Sequence, residues 1–266
     1  MDDLQQLLHQ TISICKEVGA FVKHEHGIFK KSSIEYKGHN DLVSYVDKEA
    51  EKKLVQGLGT LLPESGFIAE EGTTSKRGVV YNWIVDPIDG TTNFIHGLPV
   101  FAISVALMQE KEIILGVVLE INRDECFYAT KGGKAFCNGV PISVSNTPAL
   151  KDALIATGFP YYDFGKMDIY LAILKDFMKD SHGVRRLGSA AVDLVYVACG
   201  RFEAFFEYNL NAWDVAAGVL IVQEAGGIVT DFKNGDNYIF GGELLAANAI
   251  HGEALAVINK NWEARV

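Results

Sequence analysis

The sequence lacks the marks of several common protein classes. Its four cysteines are scattered and none forms a Cys-x-x-Cys pair, which argues against a zinc site or a redox-active pair. No apolar stretch approaches the roughly 20 residues that span a bilayer. The first ten residues carry acids instead of the basic start of a secretory signal. We therefore expect a soluble cytoplasmic protein with free thiols and no membrane partner.

Basic residues are also scarce relative to acidic ones. The 266 residues include 24 Lys and Arg against 34 Asp and Glu, so the formal net charge is −10. This composition does not favour a nucleic-acid partner, which would require a basic surface. Carboxylates also repel phosphate, so a phosphate site in this chain would need divalent cations to reverse the local charge.

The order of predicted elements indicates an α/β (α+β) fold. The first half reads as helices followed by antiparallel strands, whereas the second half alternates strands and helices, which is typical of mixed pairing with covering helices. A boundary near residues 145–150 predicts two subdomains that share one interface. They are an N-terminal α+β part, residues 1–145, which carries most of the candidate ligands, and a C-terminal α/β part, residues 146–266.

An acidic turn follows the short apolar strand predicted at residues 83–85. Asp86 and Asp89 lie three positions apart in a turn that Pro87 makes rigid, so their carboxylates can converge on one small volume. Two carboxylates at that distance repel each other unless a cation lies between them. Gly90 permits close approach of the backbone to a ligand, and Thr91 opens a short predicted helix whose amides would point at an anion.

Each of these acids also has an ordinary explanation. A lone Asp-x-x-Asp-Gly is more often a capped turn, and Asp214 before a predicted helix is a common N-cap residue. The turn does not stand alone, however, because Glu70 ends a different strand and Asp214 opens a different helix. The spacing of a calcium-binding EF-hand is absent. The combination favours a site for a metal-bridged phosphate.

Two segments resemble the signatures of the inositol monophosphatase family. Residues 86–94, Asp-Pro-Ile-Asp-Gly-Thr-Thr-Asn-Phe, resemble the first signature, and residues 213–218, Trp-Asp-Val-Ala-Ala-Gly, running on to Glu-Ala-Gly-Gly at 224–227, resemble the second. Further matches occur in the expected order, namely Asp41-Leu42-Val43 with Asp47, Glu70-Glu71, and Gly188-Ser189-Ala190-Ala191. The resemblance covers nearly the whole chain. It implies a layered αβαβα sandwich of the inositol monophosphatase and fructose-1,6-bisphosphatase type.

The resemblance also implies a centre for two or three Mg²⁺ ions. Glu70, Asp86 and the Ile88 carbonyl would hold one ion, and Asp86, Asp89 and Asp214 a second. A third, weaker ion would lie near Glu70. Oxygen ligands of this kind are those that Mg²⁺ prefers.

The same resemblance assigns the chemistry. Glu70 and Thr91 would orient a water for in-line attack on phosphorus, and Asp47 would hydrogen-bond Thr91. The metals would activate that water, clamp the phosphate and stabilise the leaving oxygen, so no nucleophilic side chain is required.

Substrate contacts are implied at a further set of positions. Asp89, Ala190 and Glu207 match positions that meet sugar hydroxyls. Arg185 matches a substrate-side arginine, for which a surface or dimer-interface salt bridge is an equal alternative. Lys37 would lie over the phosphate or, as the preferred interpretation, in a solvated loop. The phosphate or substrate itself would meet a set of residues around the acidic turn: Ile88, Asp89, Gly90, Thr91 and Asp214.

We predict hydrolysis of inositol monophosphate to inositol and phosphate by a lithium-sensitive homodimer. Other substrates within the superfamily are alternatives: fructose-1,6-bisphosphate, NADP, a 3′,5′-bisphosphonucleotide or histidinol phosphate. The Gly-Thr-Thr-Asn-Phe ending of the first signature favours the inositol branch. A different class of function is a regulatory protein that binds RNA polymerase or RNA and keeps residual activity, against which the complete ligand set argues.

Overall fold

A computed structural model describes residues 2–29, 34–36, 42–160 and 164–262 and arranges them in five layers. Helices α1 (Asp2–Ile28) and α2 (Tyr45–Leu61) cover one face of a seven-stranded sheet. Helices α5 (Ala190–Ala198) and α6 (Ala212–Glu224) lie between that sheet and a five-stranded one, with a shared apolar core. Helices α4 (Met167–Asp180) and α7 (His251–Trp262) cover the outer face of the second sheet. The predicted αβαβα sandwich is therefore confirmed.

The first sheet is mainly antiparallel, as the sequence predicts. Its first two strands pair in parallel and the rest pair antiparallel in chain order. The seven strands are β3 (Gly66–Ala69), β4 (Tyr81–Asp89), β5 (Ala102–Gln109), β6 (Glu112–Glu120), β7 (Glu125–Thr130), β8 (Ala135–Cys137) and β9 (Val140–Pro141). The short helix α3 (Thr91–His96) follows β4, and a separate hairpin joins β1 (Ile34–Tyr36) to β2 (Leu42–Ser44).

The second sheet has the mixed pairing expected from alternating elements. Its strands are β10 (Leu154–Thr157), β11 (Gly183–Arg185), β12 (Ala204–Tyr208), β13 (Ile228–Thr230) and β14 (Glu243–Ala247), in the order β11-β10-β12-β14-β13. Strand β10 pairs in parallel with β11 and β12, and β14 pairs antiparallel with β12 and β13. A 3₁₀ turn, Leu150–Asp152, precedes β10. Strand β11 is missed by the apolar pattern because it is only three residues long.

Two element boundaries differ from the prediction. The sequence pattern predicts that the second helix runs from about Val46 to Leu58 and stops at Gly59, whereas helix α2 continues to Leu61. A glycine inside a helix costs only about 1 kcal/mol, and burial of the preceding Leu58 outweighs that cost. Strand β4 continues through Pro87 to Asp89, where its pairing with β5 becomes irregular. All strands of the first sheet precede residue 145 and all strands of the second follow it. The division into subdomains at that point stays a prediction.

The cysteines and the helices also bear on expectations from the sequence. Cys15, Cys126, Cys137 and Cys199 are all free thiols, as predicted. Within the described part of the chain, none of the helices combines the length and the apolar character that a membrane span requires.

Candidate metal centre

Three carboxylates from two elements converge on one point. Asp86 and Asp89 come from the end of β4, and Asp214 from the first turn of α6. Each offers an oxygen, and these oxygens all lie within 4.8 Å of one another. The local cause is a bulge in β4, because Asp86 lies opposite Ser104 and Asp89 opposite Ala102, so β4 carries one extra residue. The predicted convergence of these three acids is what the structure shows.

The electrostatics of this cluster disfavour three ionised carboxylates without a cation beside them. Burial raises the pKa of Asp86 well above its usual range, and the charges of Glu70, Asp89 and Asp214 raise it further. Burial, followed by the charge of Asp89, raises the pKa of Asp214 to about 7. A cation bound among these oxygens would remove the repulsion. Closely spaced hard oxygen donors are the ligands that Mg²⁺ and similar divalent cations bind.

Glu70 approaches the cluster from the neighbouring strand. It follows β3, and its backbone N–H donates to the Val85 carbonyl at 3.2 Å, which ties its loop to β4. The buried Glu51 of α2 holds the rest of the loop, accepting from the Glu71 N–H at 2.6 Å and the Thr73 N–H at 2.7 Å. Glu51 is a supporting residue that no motif in the sequence singles out. It fixes the segment that carries a predicted metal ligand.

Asp47 and Thr91 form the hydrogen bond that the resemblance implies. The Thr91 hydroxyl lies 3.0 Å from Asp47 Oδ1 and 3.0 Å from the Ile88 carbonyl oxygen. The other Asp47 oxygen accepts from the Ser44 N–H at 2.9 Å and the Ser44 hydroxyl at 2.6 Å, which closes the capping box of α2. Burial raises the pKa of Asp47, and the bonds from Ser44 and Thr91 partly oppose that rise. Asp47 therefore lies behind Thr91 and links α2 to the turn after β4.

Asp89 connects the cluster to the second half of the chain. Its Oδ2 accepts from the Ser189 hydroxyl at 2.6 Å and from the Ala191 N–H at 2.6 Å, at the start of α5. Burial raises its pKa to about 6 against these bonds, which lower it. Gly90 follows at φ 100°, and a Cβ there would lie 3.0 Å from the Val100 carbonyl oxygen, so the turn requires glycine. Two fixed donors thus orient the Asp89 carboxylate.

The cluster lies in a cavity of about 110 Å³ between the two sheets. Its lining includes nine of the predicted site residues: Glu70, Asp86, Ile88, Asp89, Gly90, Thr91, Ala190, Glu207 and Asp214. Arg185 is not brought there, because it is exposed at the end of β11 and donates to the Val184 carbonyl at 3.0 Å. Its neighbour Arg186 lines the cavity instead. Lys37 and Asp41 lie outside the described residues.

Three residues absent from the predicted set shape the side of the cavity beyond the metal cluster. Gly158 follows β10 and lies against Glu207, because a Cβ on it would come within 2.0 Å of Glu207 Oε2. Arg186 and Asp193 complete this side with Glu207. Burial raises the pKa of Glu207 well above its usual range, as does the charge of Asp214, whereas Arg186 lowers it. The Gly188-Ser189 motif and the predicted contacts Ala190 and Glu207 signal this region in the sequence, but they do not select these three residues.

Fold and cavity together define a layered α/β protein with a carboxylate centre suited to divalent cations. The profile of the Inositol monophosphatase family matches residues 3–264, and the chain belongs to this family. The putative Nus factor SuhB of Neisseria meningitidis serogroup B is 43% identical over 246 residues, which cover 92% of this chain and 94% of that protein. The inositol-1-monophosphatase of Rhizobium meliloti is 41% identical over 250 residues, 94% of each chain. A crystal structure of extragenic suppressor protein SuhB from Bartonella henselae matches with a TM-score of 0.91 at 36% identity, covering 96% of this chain and 99% of that one.

Proposed function

We propose that this protein is a Mg²⁺-dependent phosphomonoesterase that hydrolyses inositol monophosphate. The observation that carries the proposal is the convergence of Asp86, Asp89 and Asp214 oxygens within 4.8 Å, beside Glu70 in one cavity. The family and the similarity to proteins named inositol-1-monophosphatase support a phosphorylated small molecule as the substrate.

The donor set suits divalent cations. Glu70, Asp86, Asp89, Asp214 and the Ile88 carbonyl would hold them. Burial raises the pKa of Asp86, and repulsion from the neighbouring carboxylates raises it further. Bound positive charge would relieve that repulsion. When bound, a two-metal centre supplies an activated water and neutralises charge on the phosphate and the leaving oxygen.

The protein's own groups position the water. Thr91 has one hydroxyl proton and two acceptors at 3.0 Å, Asp47 Oδ1 and the Ile88 carbonyl. Once that proton is donated to either acceptor, the lone pairs of Oγ1 are left to accept from a water in the cavity. Glu70 lines the same cavity and supplies a second acceptor. General-base arrangements of this kind contribute roughly 10²- to 10⁴-fold to the rate.

A substrate panel tests the proposal. Phosphate release is measured with and without Mg²⁺ from inositol 1-phosphate, fructose-1,6-bisphosphate, NADP⁺, a 3′,5′-bisphosphonucleotide and histidinol phosphate. We expect Mg²⁺-dependent release with the highest kcat/KM for inositol 1-phosphate, and loss of release in Asp89→Asn. Absence of release from every substrate by the wild-type protein with Mg²⁺ would show that the proposal is wrong. Preference for another substrate would support the phosphatase activity and show that inositol monophosphate is not the substrate.

The relatives named Nus factor SuhB support a second role, which is binding to RNA polymerase or RNA. They weigh against our expectation that the composition does not favour a nucleic-acid partner. Co-purification with RNA polymerase, compared between wild type and Asp89→Asn, separates the roles. Equal capture by both proteins would support partner binding that is independent of catalysis. Capture by neither would leave hydrolysis as the proposed function. The homodimer, the sensitivity to lithium and the cytoplasmic location stay predictions.

A further inference from the structure

One side of the cavity has a polar composition that the metal chemistry does not use. We call it the substrate wall, and it consists of Arg186, Asp193 and Glu207. The wall is built by the start of α5, the end of β12 and the loop after β11. It offers two carboxyl groups and one guanidinium beside the metal cluster. None of the steps proposed above requires Arg186 or Asp193.

Asp193 is the unusual member of the wall. It lies in α5 with only 1% of its surface exposed. Its Oδ1 is buried, and no donor among the described residues is within hydrogen-bond distance of it. Leaving a buried polar atom unpaired costs about 1–3 kcal/mol, and native proteins rarely keep one without a reason. A purely structural role does not explain this side chain, because an apolar residue in a helix that is otherwise buried would avoid the cost.

The neighbours of Asp193 indicate what chemistry the wall can accept. Glu207, Asp89 and Arg186 line the same cavity as Asp193. Burial raises the pKa of Asp193, the charges of Glu207 and Asp89 raise it further, and Arg186 lowers it. A hydroxyl group both donates and accepts, so it can pair with a carboxyl and a guanidinium together. A second phosphate of a bisphosphate would find only one cationic group in the wall, the Arg186 guanidinium. Carboxyl and guanidinium groups together can each pair with a hydroxyl, so the wall suits a ring of hydroxyls.

We propose that Asp193 is a specificity-determining residue that hydrogen-bonds a ring hydroxyl of a polyol monophosphate. The inference rests on the proposed phosphatase function and deepens it. A site built to pair with a substrate hydroxyl rejects an analogue that lacks it, because the buried polar group is then left unpaired. Asp193 would thus discriminate polyol phosphates from esters without hydroxyls.

The test compares two substrates in three proteins. Inositol 1-phosphate carries ring hydroxyls and phenyl phosphate carries none, and both are assayed with saturating Mg²⁺. In Asp193→Leu we expect kcat/KM for inositol 1-phosphate to fall about tenfold or more, mainly through KM, and kcat/KM for phenyl phosphate to stay within threefold. Asp193→Asn keeps a hydrogen-bonding group and should restore most of the loss. Glu203→Gln is the control, because Glu203 is a buried carboxylate that bonds Ser145 and Leu154 outside the cavity lining.

The melting temperature provides a second readout. Replacing a buried unpaired carboxyl by an apolar side chain is often neutral or stabilising, so we expect Tm of Asp193→Leu to equal or exceed that of wild type. A lower Tm with equal losses on both substrates would assign Asp193 a structural role and overturn the inference. Unchanged kinetics on both substrates would overturn it as well.

If no protein hydrolysed phenyl phosphate or inositol 1-phosphate, the phosphatase proposal itself would fail. Should Asp193→Leu not fold, Asp193→Ala replaces it, assayed with monodeoxy-inositol phosphates beside wild type and Asp193→Asn. A tenfold penalty for one missing hydroxyl that persists in Asp193→Asn and shrinks in Asp193→Ala supports the inference, and equal rates for all analogues contradict it.

Discussion

The two carboxylate oxygens of Asp47 have separate hydrogen-bonding roles. This predicts a substitution that affects stability and activity differently. One carboxylate oxygen closes the capping box of α2 with Ser44, and the other meets the Thr91 hydroxyl at 3.0 Å. In Asp47→Asn, the amide oxygen can take the place of the oxygen that accepts from Ser44. The amide nitrogen then faces Thr91 and donates to it, which reverses the polarity of that bond. The capping box of α2 is therefore kept. The Thr91 oxygen, however, loses a lone pair with which it would accept a hydrogen bond from the water.

The magnitudes follow from these contacts. Loss of one positioned acceptor for the water should lower kcat by about 10²-fold, the lower end of general-base contributions. The preserved cap should keep the stability loss below about 1 kcal/mol. Ser44→Ala gives the opposite pattern, because it removes the hydroxyl that accepts from the Val46 N–H at 3.1 Å and donates to Asp47. It should cost about 1 kcal/mol, or roughly 2 °C in Tm for a chain of this size, and lower kcat less than threefold.

The assay combines phosphate release at saturating Mg²⁺ and inositol 1-phosphate with thermal unfolding of the same samples. Thr91→Val serves as a reference, since it removes the hydroxyl and keeps the shape of the side chain. Asp47→Asn and Thr91→Val should lose similar factors in kcat, and the double variant should lose little more than either. If Asp47→Asn kept kcat within threefold of wild type, or if Ser44→Ala lost as much activity as Asp47→Asn, the assigned role of Asp47 would be refuted.

Three further predictions concern the centre itself. Glu70→Gln and Asp214→Asn should each lower kcat by 10²-fold or more in a folded protein, and normal turnover by either variant would contradict the two-metal assignment. Because the pKa values of Asp89 and Asp214 are raised to about 6 and about 7, the metal-free protein binds more protons than the unfolded chain and loses stability as pH rises from about 4 to 7. The Tm increase caused by Mg²⁺ should therefore grow between pH 5 and pH 8, and a pH-independent increase would place the ion elsewhere. Gly158→Ala should raise KM for inositol 1-phosphate several-fold, because the new Cβ would lie 2.0 Å from Glu207 Oε2 and displace it. An unchanged KM would show that Glu207 does not contact the substrate.

Much of the centre could be predicted because its acids lie where elements end. Asp86 and Asp89 follow an apolar strand, Glu70 follows another, and Asp214 opens a helix. Strands and helices of a layered fold end at common edges. The predicted ends of two strands and the predicted start of one helix therefore indicate that all four residues lie near one point. The apolar pattern of α1 is equally informative, because burial of one face of a helix leaves a periodic trace. Helix α6 is buried from Val215 to Val222 and is predicted from its length and its opening Asp214 instead.

The substrate wall could not be predicted in the same way. Two arginines are adjacent in the sequence, and the direction in which each points depends on the pairing of β11 with β10, a three-residue contact without a strong local signal. The structure leaves Arg185 exposed and places Arg186 in the cavity. Asp193 resembles an acid in the first turn of any helix, where the helix dipole favours it. Only the tertiary structure shows that this helix is buried all round.

Charge explains how so acidic a cavity can receive a phosphate. Six carboxyl side chains and one guanidinium line it, so with every group ionised even two divalent cations leave a net negative charge facing the substrate. Burial raises the pKa values of Asp193 and Glu207 well above their usual range. A raised pKa lowers the negative charge that these two groups carry at a given pH, whereas two divalent cations balance the four remaining carboxylates and Arg186 adds one positive charge. The carboxyl groups of the substrate wall and the cations of the metal centre thus act on the same charge balance. The wall can be polar enough for hydroxyls without repelling the phosphate that it adjoins.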